Sequence, residues 1–482
     1  MRAFRVLPEI PSPLVGEGQG EGAVRETGSP TALRGPKPRR VGSARRAWMA
    51  VAGMVLIGGG IMAVRYLALS PLSTQDSVLR TEAAPAALPL PDKPSIAVLP
   101  FVNLSNDPEQ EYFSDGITED LITDLSKLSG LFVISRNSVF TYKGKAVKAQ
   151  DVGKELGVRY VLEGSVRKAD NQIRVTSQLV DASVDHHIWA ERYDRPLRDI
   201  FAVQDEIVRK IVTTLKLQLT LEESGILVRK TTDNLEAYDY FLRGTGDLWQ
   251  STKEANAQAR QMFEKAVALD PQYAEAYAGI GRTYFTEWST QWNREPQVLQ
   301  RAEELAQTAI ALDPSLPVPH SILGQVYLQK RQHDWAIAEG ERAVILNPNW
   351  ADGYAYLALI LRWSGRAEEA VEVAKKAIRL NPHYPPFYQN ALGFSYCQVR
   401  QYEQAMTAQK AALARNPDLL LAHICLAACY SMAGRDEEAR AQVQEILRIS
   451  PKLSLEVVGF GPWKNPADGK AMIEALRKAG LK

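Results

Sequence analysis

The chain has 482 residues, too many for one hydrophobic core, so two or three folded units are expected. Its 57 basic and 56 acidic residues leave a net charge of +1, which removes the electrostatic case for nucleic acid, since that needs a basic stripe or patch. The cysteines, Cys397, Cys425 and Cys429, are odd in number and no pair has zinc spacing, which argues against a disulfide framework; Cys425 and Cys429, one helical turn apart, read as small buried helix residues.

Residues 1–46 are rich in Gly, Pro and Arg and read as a disordered basic leader. Ala47–Val64 carries no charge, and the run 47–69 has about the ~20 residues that a helix needs to cross hydrocarbon. Arg65 lies near enough to one end to snorkel, and Trp48 and Tyr66 sit where interfacial aromatics belong. Arg34, Lys37, Arg39, Arg40, Arg45 and Arg46 precede this span, while only Arg65 and Arg80 closely follow it. That asymmetry places the N-terminus in the cytoplasm and everything after about residue 70 outside it. Residues 70–94 contain five prolines and form a semi-stiff spacer.

From Ser95 the pattern is that of an α/β domain, expected over 95–222. Ser95–Phe101 is a short apolar strand, and Glu109–Leu128 carries Phe113, Ile117, Leu121, Leu125 and Leu128 on one helical face. Leu131–Ser135 is a second strand and Ala149–Leu156 a short helix. Arg159–Arg167 and Gln172–Val180 are strands about an Asp170-Asn171 turn, and His186–Arg192 is a further strand. Asp199–Leu219 closes the domain as a helix, apolar at Ile200, Val203, Ile207, Ile211, Leu215 and Leu219. The order β-α-β-α-β-β-β-α predicts a mixed sheet with helices packed on it.

Chemistry is thin here. Asp115, Glu119, Asp120 and Asp124 fall on the face of their helix opposite the apolar one, and so are expected to be solvated. His186 and His187 are adjacent in a strand and point to opposite faces, so they share no metal. Lys143-Gly144-Lys145 lacks the upstream glycine and the Ser/Thr of a phosphate loop. No catalytic, cofactor-binding or metal-ligating set is recognised, and the chain reads as a non-enzyme needing no cofactor.

Four segments, SIAVLPFVNLSNDPEQEYFSDGITEDLITDLSKL, FVISRNSVFTYKGK, GVRYVLEGSVRK and HHIWAERYDRPLRDIFAVQDEI, carry a resemblance to the TolB-like N-terminal domain found beside tetratricopeptide-repeat (TPR) arrays in bacterial cyclase-type proteins. The resemblance implies a non-catalytic, protein-binding module.

The second half repeats itself. An apolar-Asp/Asn-Pro signature recurs at residues 269–271, 312–314, 346–348 and 380–382, with RNP at 415–417 and ISP at 449–451. Successive prolines are 43, 34, 34, 35 and 34 residues apart, the TPR period, and nine extra residues of the first interval fall near Glu287–Glu295. About six repeats are expected over 235–463, with 464–482 as a capping helix. TPR arrays hold a peptide on the concave surface of their first helices. By register that surface carries Arg282, Gln325, Gln329, Arg362, Trp363, Asn390 and Gln398.

The expected architecture is one N-terminal transmembrane helix, an α/β TolB-like domain and an all-α TPR solenoid. The expected function is a bacterial inner-membrane scaffold, single-pass, with periplasmic modules that bind a protein or peptide partner. The alternative is the sensory half of a class III adenylate/guanylate cyclase-type protein, or of a membrane-anchored transcription regulator. Partners are a protein or peptide in the groove and the membrane through 47–69, with a homodimer left open and no nucleic acid.

Overall fold

The computed structural model describes residues 88–105, 107–219, 232–456 and 461–482. The described residues all belong to one compact unit of the chain, Ala83–Lys482. The basic leader and the expected membrane span, 47–69, lie outside the described residues. Among the described residues, no helix is long and apolar enough to cross a membrane.

The α/β module is a mixed sheet with helices packed on it. Strands β1 (Ser95–Val98), β2 (Val102–Asn103), β3 (Phe132–Val133), β4 (Tyr160–Ala169), β5 (Gln172–Asp181) and β6 (His186–Pro196) form one sheet. Its order is β3-β1-β4-β5-β6, with β2 pairing on β4. β1 runs parallel to β3 and β4, whereas β4, β5 and β6 are antiparallel neighbours. The β4–β5 hairpin keeps register from Tyr160↔Asp181 to Ala169↔Gln172, and Asp170 makes its turn at φ 49°. Apolar faces explain the helices. In α1 (Glu111–Ser126), Phe113, Ile117, Leu121 and Leu125 recur every four residues and are buried. Asp107 caps the turn before it by accepting from the Glu109 N–H at 2.9 Å. A one-turn helix, α2 (Arg136–Val139), and α3 (Ala149–Leu156) follow.

The closing helix, α4 (Ile200–Thr214), is shorter than its apolar period predicts. Lys216 turns left-handed at φ 52°, and the Leu217 N–H bonds back to the Val212 carbonyl at 3.0 Å, so Leu219 is off the helix.

The solenoid is built of antiparallel helix pairs. They are α5/α6 (Leu235–Leu248, Lys253–Leu269), α7/α8 (Ala274–Ser289, Pro296–Leu312), α9/α10 (Pro317–Gln329, His333–Leu346), α11/α12 (Ala351–Trp363, Ala367–Leu380), α13/α14 (Pro386–Gln398, Tyr402–Arg415) and α15/α16 (Leu420–Met432, Asp436–Ile449). The extra residues of the first interval lengthen α7 and the loop after it. Small residues set the spacing within a pair: a Cβ on Gly324 of α9 would stand 3.1 Å from the Ala336 carbonyl of α10, a tight approach that would push the helices a few tenths of an ångström apart. Each second helix stops the same way. Asn347 leaves the helix in an extended conformation, φ −137° and ψ 90°, and Pro348 cannot continue it.

The final helix, α17 (Pro466–Lys478), packs on α15 and buries Met472 and Leu476. Asn465 caps it by accepting from the Ala467 N–H at 3.1 Å.

Candidate functional site

The α/β module and the solenoid meet along a continuous seam, and α1 forms its centre. Gly116 lets α1 approach α5 closely, since a Cβ there would lie 2.5 Å from the Leu242 side chain. On either side of this contact stand the acids of α1. Asp120 accepts hydrogen bonds from the Tyr238 hydroxyl and from Gln204 Nε2 at 2.9 Å. Glu119 pairs with Arg136 at 2.9 Å and accepts from Trp249 Nε1 at 3.3 Å. Asp115 is held by Lys143 at 2.6 Å, and Asp124 by Lys127 at 2.8 Å. Tyr112 donates to Asp239 and accepts from Arg243 at 2.9 Å.

The expectation that these acids face solvent is therefore corrected for Glu119 and Asp120, which solenoid residues cover, while Asp115 and Asp124 stay partly exposed and pair with lysines of their own module. An amphipathic period locates the face that is not core, but that face can still be covered by a second module. The enclosure has an electrostatic mark. Burial pushes the Asp120 carboxyl up to about 7, with its Tyr238 hydrogen bond working against the rise. Burial does the same to Glu275, also to about 7. A cavity of about 260 Å³ lies in the seam between α1 and the first helices α5, α7 and α9, lined by Asp120, Lys127, Arg136, Tyr238, Glu275 and Arg282 among others.

Further along, the turns between repeats hold the other side of the module. Asn349 Nδ2 donates to the carbonyls of Ser126 (3.0 Å) and Leu128 (3.1 Å), while the Val133 N–H reaches its Oδ1 at 3.4 Å. Ser138 Oγ donates to Asn381 Oδ1 at 2.6 Å and accepts from the His383 N–H at 2.9 Å. Arg379 donates to the carbonyls of Leu156 and Gly157 and lies 4.6 Å from the Phe132 ring centre. Of these residues only Asn381 stands out in the sequence, as part of the repeat signature and not as a bond to another module. The only hint was the polar Asn in an otherwise structural Asn-Pro turn.

The seven residues expected to line a peptide groove separate into groups. Arg282 lines the seam cavity, its guanidinium 5.6 Å from the Trp249 ring centre. Gln325 donates to the Ser321 carbonyl of its own helix at 3.2 Å, and Gln329 is exposed. Asn390 is buried, with its backbone carbonyl accepting from Gln409 at 3.2 Å. Arg362, Trp363 and Gln398 come together, but under the C-terminal segment.

That segment crosses them in an ordered way. The Lys464 N–H bonds to the Trp363 carbonyl at 3.0 Å, and Arg331 reaches the Gly461 carbonyl at 3.2 Å. Trp463 meets Trp363 edge to face with centroids 4.3 Å apart, and Gln398 donates to Asp468 at 2.7 Å. Arg362 lies 3.9, 4.9 and 5.5 Å from the ring centres of Trp363, Phe394 and Trp463. Burial lowers its pKa to about 10, opposed by the nearby sulfurs of Cys425 and Cys397. A pocket of about 390 Å³ beside it is lined by Arg362, Phe394, Cys397, Gln398, Trp463 and Lys478, among others.

Comparison with known proteins supports the repeat assignment. Residues 322–385 and 391–454 match the family described as tetratricopeptide repeat. Residues 92–219 match the family described as the second domain of HilA/YgeH-like transcriptional regulators, a description other than TolB-like. A protein of Rhizobium meliloti (strain 1021) named "Putative adenylate cyclase 3" is 52% identical over 204 residues, which are 42% of this chain and 35% of that protein. The match thus spans about a third of that relative's length. Among solved structures, the TPR protein YrrB is 19% identical, covering 39% of this chain and 93% of its own, with a TM-score of 0.30. PilF of Pseudomonas aeruginosa is 19% identical, covering 45% and 94%, with a TM-score of 0.36. The C-terminal half is a solenoid of tetratricopeptide repeats, a fold suited to protein interaction.

Proposed function

We propose that this chain is a membrane-tethered, protein-binding regulatory module in which the α/β module and the solenoid act as one body. The observation that carries this reading is the seam. Tyr238, Asn349 and Asn381 all come from the solenoid, and all bond to the α/β module through buried groups. A partner held by the solenoid therefore bears on the sheet through these bonds. The surface offered to a protein or peptide is the part of the first helices α9, α11 and α13 that the C-terminal segment leaves uncovered.

The likeness over 204 residues to a cyclase-named protein, and over 92–219 to a regulator domain, supports a signalling setting for this body. In that setting it is the sensory, TolB-like half of a cyclase-type or regulator-type protein, and has no catalysis of its own. The uncharged run 47–69 with its basic flank supports a single-pass inner-membrane anchor with periplasmic modules.

Peptides selected against the full chain test the binding role, with hydrogen exchange mapping the contact. Protection on α9, α11 and α13 is expected, and a selection that enriches nothing above background sinks the reading. Cyclic nucleotide synthesis by the purified chain would remove the non-catalytic role. A reporter fused after Lys482 is expected to be active only outside the cytoplasm, and cytoplasmic activity would reverse the topology.

A further inference from the structure

We propose that Cys397, Cys425 and Cys429 form a three-thiolate site for a divalent d10 cation of the zinc class. Spacing in sequence gives no hint of it, because the third sulfur is supplied by the stacking of one repeat on the next. Cys397 sits at the end of α13, and Cys425 and Cys429 lie one turn apart on α15. The three sulfur atoms are all within 4.8 Å of one another, and Cys425 Sγ is 3.8 Å from Cys429 Sγ. Zinc–sulfur bonds of about 2.3 Å in a tetrahedral site set sulfurs about 3.8 Å apart. One edge already has that spacing, and Cys397 needs to close by about 1 Å or less.

Core packing alone accounts for small buried residues on these helices. It does not account for Arg362. Arg362 as a residue is only 4% exposed, its Nε has no hydrogen-bond partner, and among the described residues no carboxylate forms an ion pair with it. It lines the same pocket as Cys397. Three aromatic rings face it, and Asp468 and Glu474 line the same pocket, but among these neighbours the cysteine sulfurs are the groups that a bound cation would turn into thiolates beside it.

The charges also select the ion. A divalent cation on three thiolates carries −1, which the Arg362 guanidinium brings to zero. A monovalent ion would leave the buried cluster at −1. Thiolate sulfur in turn favours a soft d10 ion over magnesium or calcium. On binding, the three thiols give up their protons to solvent. The pocket of about 390 Å³, lined by both Arg362 and Cys397, supplies an entry path and room for water as a fourth ligand.

Cadmium(II) titrated into the reduced full chain tests the site through its thiolate-to-metal charge-transfer absorption. Saturation at one ion per chain is expected, together with a rise in Tm and competition by zinc(II). Cys397→Ala and Cys429→Ala should each lose this tight single-ion binding while keeping the helical circular dichroism of the parent. The cadmium-113 chemical shift of the unmodified chain counts its sulfur ligands without any variant, and should report three. Arg362→Met should keep the band but weaken binding by about tenfold or more. No charge-transfer band, a shift reporting two sulfurs, or a folded Cys397→Ala that titrates like the parent would each overturn the proposal. Unchanged affinity in Arg362→Met would remove the countercharge on which the choice of a divalent ion rests.

Discussion

The interior of the solenoid and the seam against the α/β module are both buried, but they are built from different materials. Inside the repeats, Ala302, Ala306, Ala309, Ala336, Ala343, Ala370, Ala374 and Ala377 pack helix on helix with no polar demand. Along the seam, Asp120, Gln204, Tyr238, Asn349 and Asn381 must each find a partner on another element. The first kind of contact tolerates approximate shape, while the second fixes orientation, because an unmatched buried polar group costs ~1–3 kcal/mol. One makes a spring of stacked pairs, and the other bolts that spring to a sheet.

The comparison can be broken from either side. Phe263→Ala should cost most, about 3–5 kcal/mol, because the ring fills the space against Gly244 and Gly279 inside the first repeats. Urea unfolding followed by far-ultraviolet circular dichroism would measure it, and hydrogen exchange should loosen in α5–α7 before β4 and β5. Asn349→Ala should cost about 1–3 kcal/mol by leaving the buried Val133 N–H without its acceptor and taking one of the hydrogen bonds from each of the Ser126 and Leu128 carbonyls, with exchange rising in α1 and β3 while α13–α16 stay protected. Gly116→Val should cost a similar ~1–3 kcal/mol by overpacking against Leu242, and Leu242→Ala in the same chain should relieve part of it.

A pH series separates the two kinds of contact without mutation. Asp120 and Glu275 have folded-state pKa values near 7, above the ordinary carboxylate range. The folded state therefore retains protons that the unfolded chain releases above about pH 4. Their contribution to stability is full below that point, falls as pH rises from about 4 to about 7, and is constant beyond. Asp120→Asn should make that fall shallower in a series of unfolding curves, leaving the share of Glu275. Smallest of all is Asp334→Ala, which removes the exposed ion pair to Lys464 and should leave Tm unmoved.

How much of this was legible follows from the same contrast. Spacing alone located the helix pairs, because each Asn-Pro or Asp-Pro stop is a local event: Pro382 ends its helix whatever else is nearby. The alternation of Ile173, Val175 and Leu179 likewise marked a strand that pairs within one hairpin. The seam was not legible. Asp115, Glu119, Asp120 and Asp124 look solvated in one dimension, and nothing within α1 says that Tyr238, more than a hundred residues away, closes over Asp120. The covering of Arg362 and Trp363 by Trp463 escaped for the same reason. Repeat register says which residues leave the core, and a distant tail decides whether solvent meets them.

The placement of the seam along the repeats has a mechanical consequence. Its hydrogen bonds to the α/β module begin at Tyr238 on the first pair, recur at Asn349 and Asn381, and among the described residues end at His383. Four pairs are thus clamped, and α13–α16 with the α17 cap extend past the last bolt as a cantilever. Load applied to that arm reaches the clamped pairs through the Leu380–His383 turn and through the segment before α17, which bonds back to Arg331 and Trp363. The Ser138–Asn381 bond at that turn is one place where a change at the far end would be felt by the sheet.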